Sequence, residues 1–244
     1  MHDADHDHPP APMNQPGGAI GFFRAWDTYS KVVAANYMFH RELGQGVSDA
    51  LHQRFGGRPF SLLDLGCGDA ASLAPLLEGL SLMSYKGVDL SQPALALATQ
   101  NLARLDCPVT LVEADFMSAL AAAEPRDAIY SSFAQHHLTT QGNANFFRLA
   151  AKRLNTEGLL ILVDVTREEG ESHEAYMRNY CVWLRETMTG LESEEQDAIR
   201  DHLTKNDRPE PASSLCALAQ HAGLRVLLGL VPHKWHRLML FAPA

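Results

Sequence analysis

The chain lacks any apolar run near the ~18 residues that a membrane-spanning helix needs. It also lacks a surplus of positive charge. Its formal net charge is −9, which disfavours a general nucleic-acid binder, whose surface normally carries a basic patch. Cys67, Cys107, Cys181 and Cys216 stand far apart with no C-x-x-C spacing. Neither a disulfide framework nor a zinc site follows from them, and no metal site is expected. Met1–Pro10 lacks the basic segment and apolar stretch of a secretory signal, so the expected location is cytoplasmic. No membrane partner is expected, and a homodimer is left open.

What is present suits a globular protein with a sizeable core. Hydrophobic residues make up 46% of the chain and charged residues 20%, enough for one large domain with a sizeable core. Met1–Gly18 is rich in His, Asp, Pro and Gly and reads as a disordered tail. Its His2, His6 and His8 alternate with Asp3, Asp5 and Asp7, a tract that binds metal adventitiously. Residues 19–244 read as a single domain. Within it, residues 19–57 form an N-terminal helical cap, with Trp26, Tyr29, Val33, Tyr37 and Leu43 at helical spacing and a break at Gly44 and Gly46.

From Phe60 the pattern alternates. Strands are expected at Phe60–Leu65, Tyr85–Asp89, Val109–Glu113, Ala128–Phe133 and Gly158–Val165. Helices are expected at Ser72–Leu80, Pro93–Arg104, Met117–Ala123 and Asn143–Leu154. Such alternation implies an α/β fold, a parallel sheet covered on both faces. Residues 171–210 interrupt the rhythm with two charged helical segments, Glu174–Met188 and Ser193–Lys205. A helix at Ser213–Ala222 follows, and Arg225–Val231 with Trp235–Phe241 suggests an antiparallel hairpin.

Leu62–Ala70, read L-L-D-L-G-C-G-D-A, sits at a strand-to-helix turn. Glycines there let backbone approach a ligand closely, and doubly wound sheets bind ligands beyond the carboxyl ends of their strands. Asp89 follows Asp64 by 25 residues, at the end of the second strand. A carboxylate there suits a ribose diol. A dinucleotide enzyme shares that geometry, but its G-x-G-x-x-G fingerprint fails here because Ala71 replaces the last glycine. Asp64 suits the cationic amino group of a methionine tail and suits a pyrophosphate poorly.

The segment resembles the first motif of class I S-adenosylmethionine-dependent methyltransferases, D/E-x-G-x-G-x-G, with Ala70 in place of the third glycine. The resemblance runs from about Phe60 to Phe241. Val88-Asp89-Leu90-Ser91 resembles the ribose-binding motif. Glu113-Ala114-Asp115-Phe116 resembles the motif that holds the adenine. Asp127–Leu138 resembles the fourth motif, with the His-His-Leu ending of many small-molecule enzymes. Leu154–Asp164 resembles the stretch before the fifth strand, although Thr156-Glu157-Gly158 replaces Pro-Gly-Gly. The family implies a Rossmann-like, doubly wound seven-stranded sheet whose last strand is antiparallel, with a substrate lid inserted after strand five.

The resemblance implies S-adenosyl-L-methionine as cofactor. It implies a site built from Asp64, Gly66, Cys67, Gly68, Asp89, Leu90, Asp115, Phe116, Ser131 and Tyr29. His136 and His137 stand beside the expected methyl position, and either is a candidate general base or a packing residue. Tyr37 joins them as a catalytic candidate, since an aromatic face attracts a sulfonium. His40, Tyr176, Tyr180 and Trp183 are candidates for substrate binding; core packing is the alternative for each. A sulfonium already activates its methyl group, so the protein must mainly hold a nucleophile in line at ~3–3.5 Å and exclude water.

The expected activity is methyl transfer to a small molecule. Nucleic-acid methylation is disfavoured, because Ser131-Ser132-Phe133-Ala134 stands where an Asn-Pro-Pro-Tyr type of motif would lie. Two alternatives stay open. One is an enzyme making or using carboxylated S-adenosylmethionine, for which Arg41 is the nearby cation. The other is a non-catalytic sensor or interaction protein that binds the nucleoside.

Overall fold

The computed structural model describes residues 18–244, with side chains from Trp26 onward. The tail read over Met1–Gly18, with its His/Asp tract, lies outside the described residues up to Gly18, where the first helix begins.

The most apolar strand candidates assemble at the centre of the sheet. β1 (Phe60–Leu65) is buried along its whole length. β2 (Leu82–Asp89), β3 (Val109–Glu113), β4 (Arg126–Ser132) and β5 (Leu154–Val165) join it in parallel. β6 (Leu224–His233) and β7 (His236–Pro243) complete a seven-stranded sheet in the order β3-β2-β1-β4-β5-β7-β6. β7 runs antiparallel to β5, with Leu162 opposite Met239. The order reverses between β2-β1 and β4, so the carboxyl ends of β1 and β4 part there and leave a crevice.

Side chains alternate across a strand, so β1 feeds two cores. Phe60 and Leu62 enter one with Tyr130, Ile161 and Val163. Leu63 and Leu65 enter the other with Ile129, Phe146, Phe147 and Phe241. α2 (His40–Phe55) covers the first face. α6 (Thr140–Arg153) and α9 (Ala212–His221) cover the second. Between the strands lie α3 (Ala74–Leu77), α4 (Gln92–Asn101) and α5 (Phe116–Ala122). α3 is a single turn, much shorter than the helix expected over Ser72–Leu80.

The N-terminal cap divides elsewhere than its glycines suggest. α1 (Gly18–Ala34) ends before residues 35–39, and α2 then runs straight through Gly44 and Gly46. Asn36 and Phe39 make the break, each in the left-handed region at φ 59°. Gly46 serves close packing instead. A Cβ there would stand 2.8 Å from Leu238 Cδ2 and 3.3 Å from Leu230 Cδ2. The bare backbone lets α2 lie against β6 and β7.

The insertion after β5 forms α7 (His173–Thr187) and α8 (Ser193–Asn206). α7 buries Tyr176, Met177, Tyr180 and Leu184 in a third core with Val32, Val165 and Trp235. α8 buries no residue at all.

Overpacking in a close contact typically costs ~1–3 kcal/mol. Gly46→Val is therefore expected to lower unfolding free energy by about that amount in urea titration, with an unchanged slope. A variant as stable as the parent would remove the packing explanation for this glycine.

Candidate functional site

The loop after β1 is bound to the end of β2. Gly66 N and Cys67 N both donate to Val88 O, at 2.8 and 3.0 Å. Gly68 N donates to Asp89 Oδ2 at 2.9 Å, and Ser91 N donates to Asp89 Oδ1 at 2.8 Å. Gly66 sits at φ +73°, and a Cβ there would come within 2.9 Å of Ala134 Cβ. Ala70, in the third glycine's place, keeps a left-handed backbone at φ 56°. The chain therefore holds the glycine conformation without the glycine, at a cost of ~1–2 kcal/mol.

A cavity opens beyond these strand ends. Asp64, Gly66, Cys67, Gly68, Asp89, Leu90, Asp115, Phe116 and Tyr29 all line it. Asp64 is 1% exposed. Its Oδ2 accepts from Tyr85 OH at 2.6 Å, while its Oδ1 has no hydrogen-bond partner. Burial raises its pKa to about 7, against the Tyr85 hydrogen bond and with help from the Asp89 carboxylate. A buried carboxylate oxygen without a donor is costly, and a cationic ligand group would relieve it. Asp89 is pushed upward by burial too, although the N–H groups of Ser91, Gly68 and Leu90 oppose this. Each of its oxygens accepts one backbone bond and keeps a lone pair for a ligand hydroxyl.

Leu90 is 43% exposed at the wall, a large apolar surface available to a flat ring. Asp115 caps α5 by accepting from Ser118 N at 2.8 Å and lines the cavity as well. Burial pushes the Cys67 thiol well up, so it stays protonated.

Other candidates stand elsewhere. Ser131 donates to Leu65 O at 3.0 Å inside the sheet; its neighbour Ser132 lines the cavity instead. Tyr37 is not a cavity wall. Its hydroxyl oxygen accepts from Gly190 N at 2.8 Å and braces the loop after α7. His40 sits behind Tyr29 and Phe133, at ring distances of 6.1 and 5.2 Å. Burial lowers its pKa to about 4.

The substrate expectation for Tyr176, Tyr180 and Trp183 is corrected. Tyr176 and Tyr180 are 0% and 1% exposed. Tyr180 stacks on Tyr176 and Trp183 and meets His236 Nε2 at 3.1 Å. Their helix is amphipathic, and its aromatic stripe covers the sheet. The insertion reaches the cavity through α8, by His202 and Asn206.

The two histidines after β4 separate. They form a short 3-10 turn, Gln135–His137. It follows Phe133, whose backbone is held at φ 48°. His137 lines the cavity and His136 does not. His136 Nδ1 lies 2.5 Å from Asp164 Oδ1, and its Nε2 lies 3.6 Å from Asp207 Oδ1. Burial disfavours a charged ring, but the carboxylates of Asp164 and Asp207 outweigh it and hold His136 up at about 9.

Several site residues escaped sequence reasoning. Trp26 donates from Nε1 to Asp69 Oδ2 at 3.0 Å and ties α1 to the glycine loop. Asp164, at the end of β5, had a motif around it as its signal. His202, Asn206 and Asp207 had none, because they reach the site only through the folded path of the insertion.

The Asp64 value has a stability consequence. Its folded pKa lies above the ordinary 3.8, so the folded ligand-free protein loses stability as pH rises from about 4 through about 7. Asp64→Asn removes that charge. Its melting temperature is expected to exceed the parent's by several degrees at pH 8, with the gain vanishing near pH 4. An equal difference at both pH values would mean that the buried charge is not its cause.

Comparison with known proteins agrees with this geometry. The profile of the family described as "Methyltransferase domain" matches residues 62–158. An uncharacterized methyltransferase, YrrT, of Halobacillus halophilus is 25% identical over 162 residues, covering 66% of this chain and 73% of that protein. The crystal structure of an S-adenosylmethionine-dependent methyltransferase from Clostridium acetobutylicum superposes with a TM-score of 0.63 at 12% identity, covering 91% of this chain and 99% of that one. The magnesium protoporphyrin IX methyltransferase of Synechocystis, solved with bound S-adenosylhomocysteine, superposes with a TM-score of 0.62 at 14% identity, covering 93% and 95%. The matched domain, the sheet order and the sequence of motifs agree: residues 62–158 match a methyltransferase domain, and the chain has the fold of the S-adenosylmethionine-dependent methyltransferases it resembles.

Proposed function

We propose that this chain transfers the methyl group of S-adenosyl-L-methionine to a small-molecule acceptor. The observation that carries the cofactor half is the pair of carboxylates, Asp64 and Asp89, at the ends of neighbouring strands and facing one cavity. Asp64 Oδ1, buried without a partner, fits the methionine ammonium. Asp89 fits the ribose hydroxyls. Leu90, Asp115 and Phe116 fit the adenine, and Tyr29, Gly66, Cys67 and Gly68 wall the tail. When bound, the cofactor supplies an electrophilic methyl group; the protein's own work is to position and to exclude water.

The acceptor end is bounded by Tyr130, Phe133, His137, His202 and Asn206. Such a partly open space, walled by two aromatic rings, two imidazoles and an amide, suits a compact molecule with one or two polar groups. The Synechocystis relative, named for magnesium protoporphyrin IX, supports a small-molecule acceptor in this fold. His137, at the wall, can receive a proton from the acceptor. His136 is enclosed by Asp164 and Asp207 and positions its neighbour instead. Among the described residues no Lys or Arg lines the cavity. Arg41 is exposed on α2 and is not a cavity wall. That speaks against a carboxylated cofactor. The four cysteines are free, which supports a reducing, cytoplasmic setting.

Release of S-adenosylhomocysteine with a panel of small alcohols, phenols, amines and thiols is the test of transfer. Tight binding of the cofactor with no release for any acceptor would favour a sensor instead. For the cofactor itself, hydrogen bonds to a charged group are each worth ~1.5–3 kcal/mol. Asp89→Ala should therefore weaken S-adenosylmethionine binding by at least ~10-fold in calorimetry. Unchanged affinity in a variant of normal melting temperature would sink the ribose assignment.

A further inference from the structure

Beside the cavity the fold gathers two imidazoles and a carboxylate that no cofactor role uses. His136 and His137 come from the turn after β4, and Asp207 is the residue that ends α8. His136 Nε2 is 3.6 Å from Asp207 Oδ1, and His137 Nδ1 is 3.3 Å from the same oxygen. One ligand atom from each residue lies within 4.8 Å of the other two. An ion bound at ~2.0–2.2 Å holds its donors ~3–4 Å apart, so small side-chain movements suffice.

The surroundings are those of a built site. Asp164 Oδ1 meets His136 Nδ1 at 2.5 Å, and Asp164 Oδ2 accepts from His136 N at 3.0 Å. This carboxylate–imidazole pairing fixes the ring so that Nε2 faces Asp207, and an ion bound there would displace the Nε2 proton. Arg208 N donates to His136 O at 2.7 Å and His173 Nε2 lies 2.9 Å from Asp207 O, so both loops are pinned. Asp207 is 3% exposed, and its carboxylate is faced by the His136 and His137 rings, at 3.6 and 3.3 Å. A buried carboxylate faced by two imidazoles is neutralised either by a proton on a ring or by a metal ion that takes that proton's place.

We propose that His136, His137 and Asp207 bind a divalent transition-metal ion whose open coordination side faces the cavity. Two imidazoles with one carboxylate favour Zn²⁺ or Fe²⁺ over Mg²⁺ or Ca²⁺. Three protein ligands leave positions free, as in sites that also take an exogenous ligand. His137, His202 and Asn206 form the wall on that side. The His202 ring stands 5.7 Å from that of His137, on the side where a further ligand would enter. An acceptor with a phenolic, alcoholic or thiol donor would be held there by its reacting atom. That last statement rests on the methyl-transfer reading; metal binding does not. A bound ion would occupy His137 Nδ1, and His137 would then act through the ion.

The test uses the full chain, stripped with chelator and titrated with Zn²⁺ in equilibrium dialysis and with Co²⁺ by visible absorption. Because the tail carries His2, His6 and His8, a variant with all three changed to Ala is measured beside the parent. The expected result is one tight ion per chain in both. The Co²⁺ spectrum should be that of nitrogen and oxygen ligation. Changing an outer-shell partner weakens metal sites ~10–100-fold, so removing a ligand by Asp207→Asn or His137→Ala should weaken binding more than ~100-fold. If Asp207→Asn fails to fold, judged by circular dichroism, His137→Ala at the cavity edge decides. No stoichiometric ion, or an ion lost with the tail histidines and kept in Asp207→Asn and His137→Ala, would overturn the proposal. S-adenosylmethionine affinity of the metal-free chain is read separately, so failure of the cofactor reading shows independently.

Discussion

Three successive N–H groups of the loop after β1 are spoken for by the end of β2. Val88 O takes those of Gly66 and Cys67, and Asp89 takes that of Gly68. This set of bonds aims Asp64 and Asp89 into one space and bends the chain into the left-handed conformations at Gly66, Gly68 and Ala70. The loop belongs to the sheet as much as to the helix that follows. Its rigidity derives from β1, which is buried end to end, and from Val88, buried near the end of β2. The cavity wall at Asp64 and Asp89 is thus a continuation of the core.

Charge explains much of what surrounds that wall. Asp64, Asp89, Asp164 and Asp207 are all carboxylates withdrawn from water near one crevice. Burying anions is costly, and a fold retains them where something positive is to come. Asp164 and Asp207 share His136 between them. Asp64 has only the Tyr85 hydroxyl. A sulfonium compound with a cationic amino group answers that imbalance better than a phosphate would.

Much of the sheet was legible in the sequence because strand signals are local. β1 and β3 occupy the expected residues, and β2, β4 and β5 differ at their ends. The hairpin of β6 and β7 was legible for the same reason. The glycines of α2 misled, since their purpose is contact with Leu238 and Leu230 on distant strands. The acidic and glycine positions that line the cavity were readable because motif spacing encodes them. The far end was not. Tyr176, Tyr180 and Trp183 look like ligand-binding aromatics until Trp235 and His236 are brought against them. His202 and Asn206 look like surface polar residues on a charged helix, none of whose residues is fully buried. Tertiary path, rather than local pattern, decides both cases.

The attachment of α8 to the rest of the molecule differs in kind from that of the strands. Glu195 of α8 accepts from Thr28 Oγ1 at 3.0 Å and from Lys31 Nζ at 2.7 Å. These contacts join the insertion to the N-terminal helix across the cavity's outer side, and Lys31 keeps 46% of its side-chain surface in water. Dissolved ions screen such a link, whereas they leave the buried carboxylates and the apolar floor nearly untouched. Ionic strength therefore acts on the two halves of the cavity unequally, loosening the side walled by His202 and Asn206 while sparing the side walled by Asp64 and Asp89.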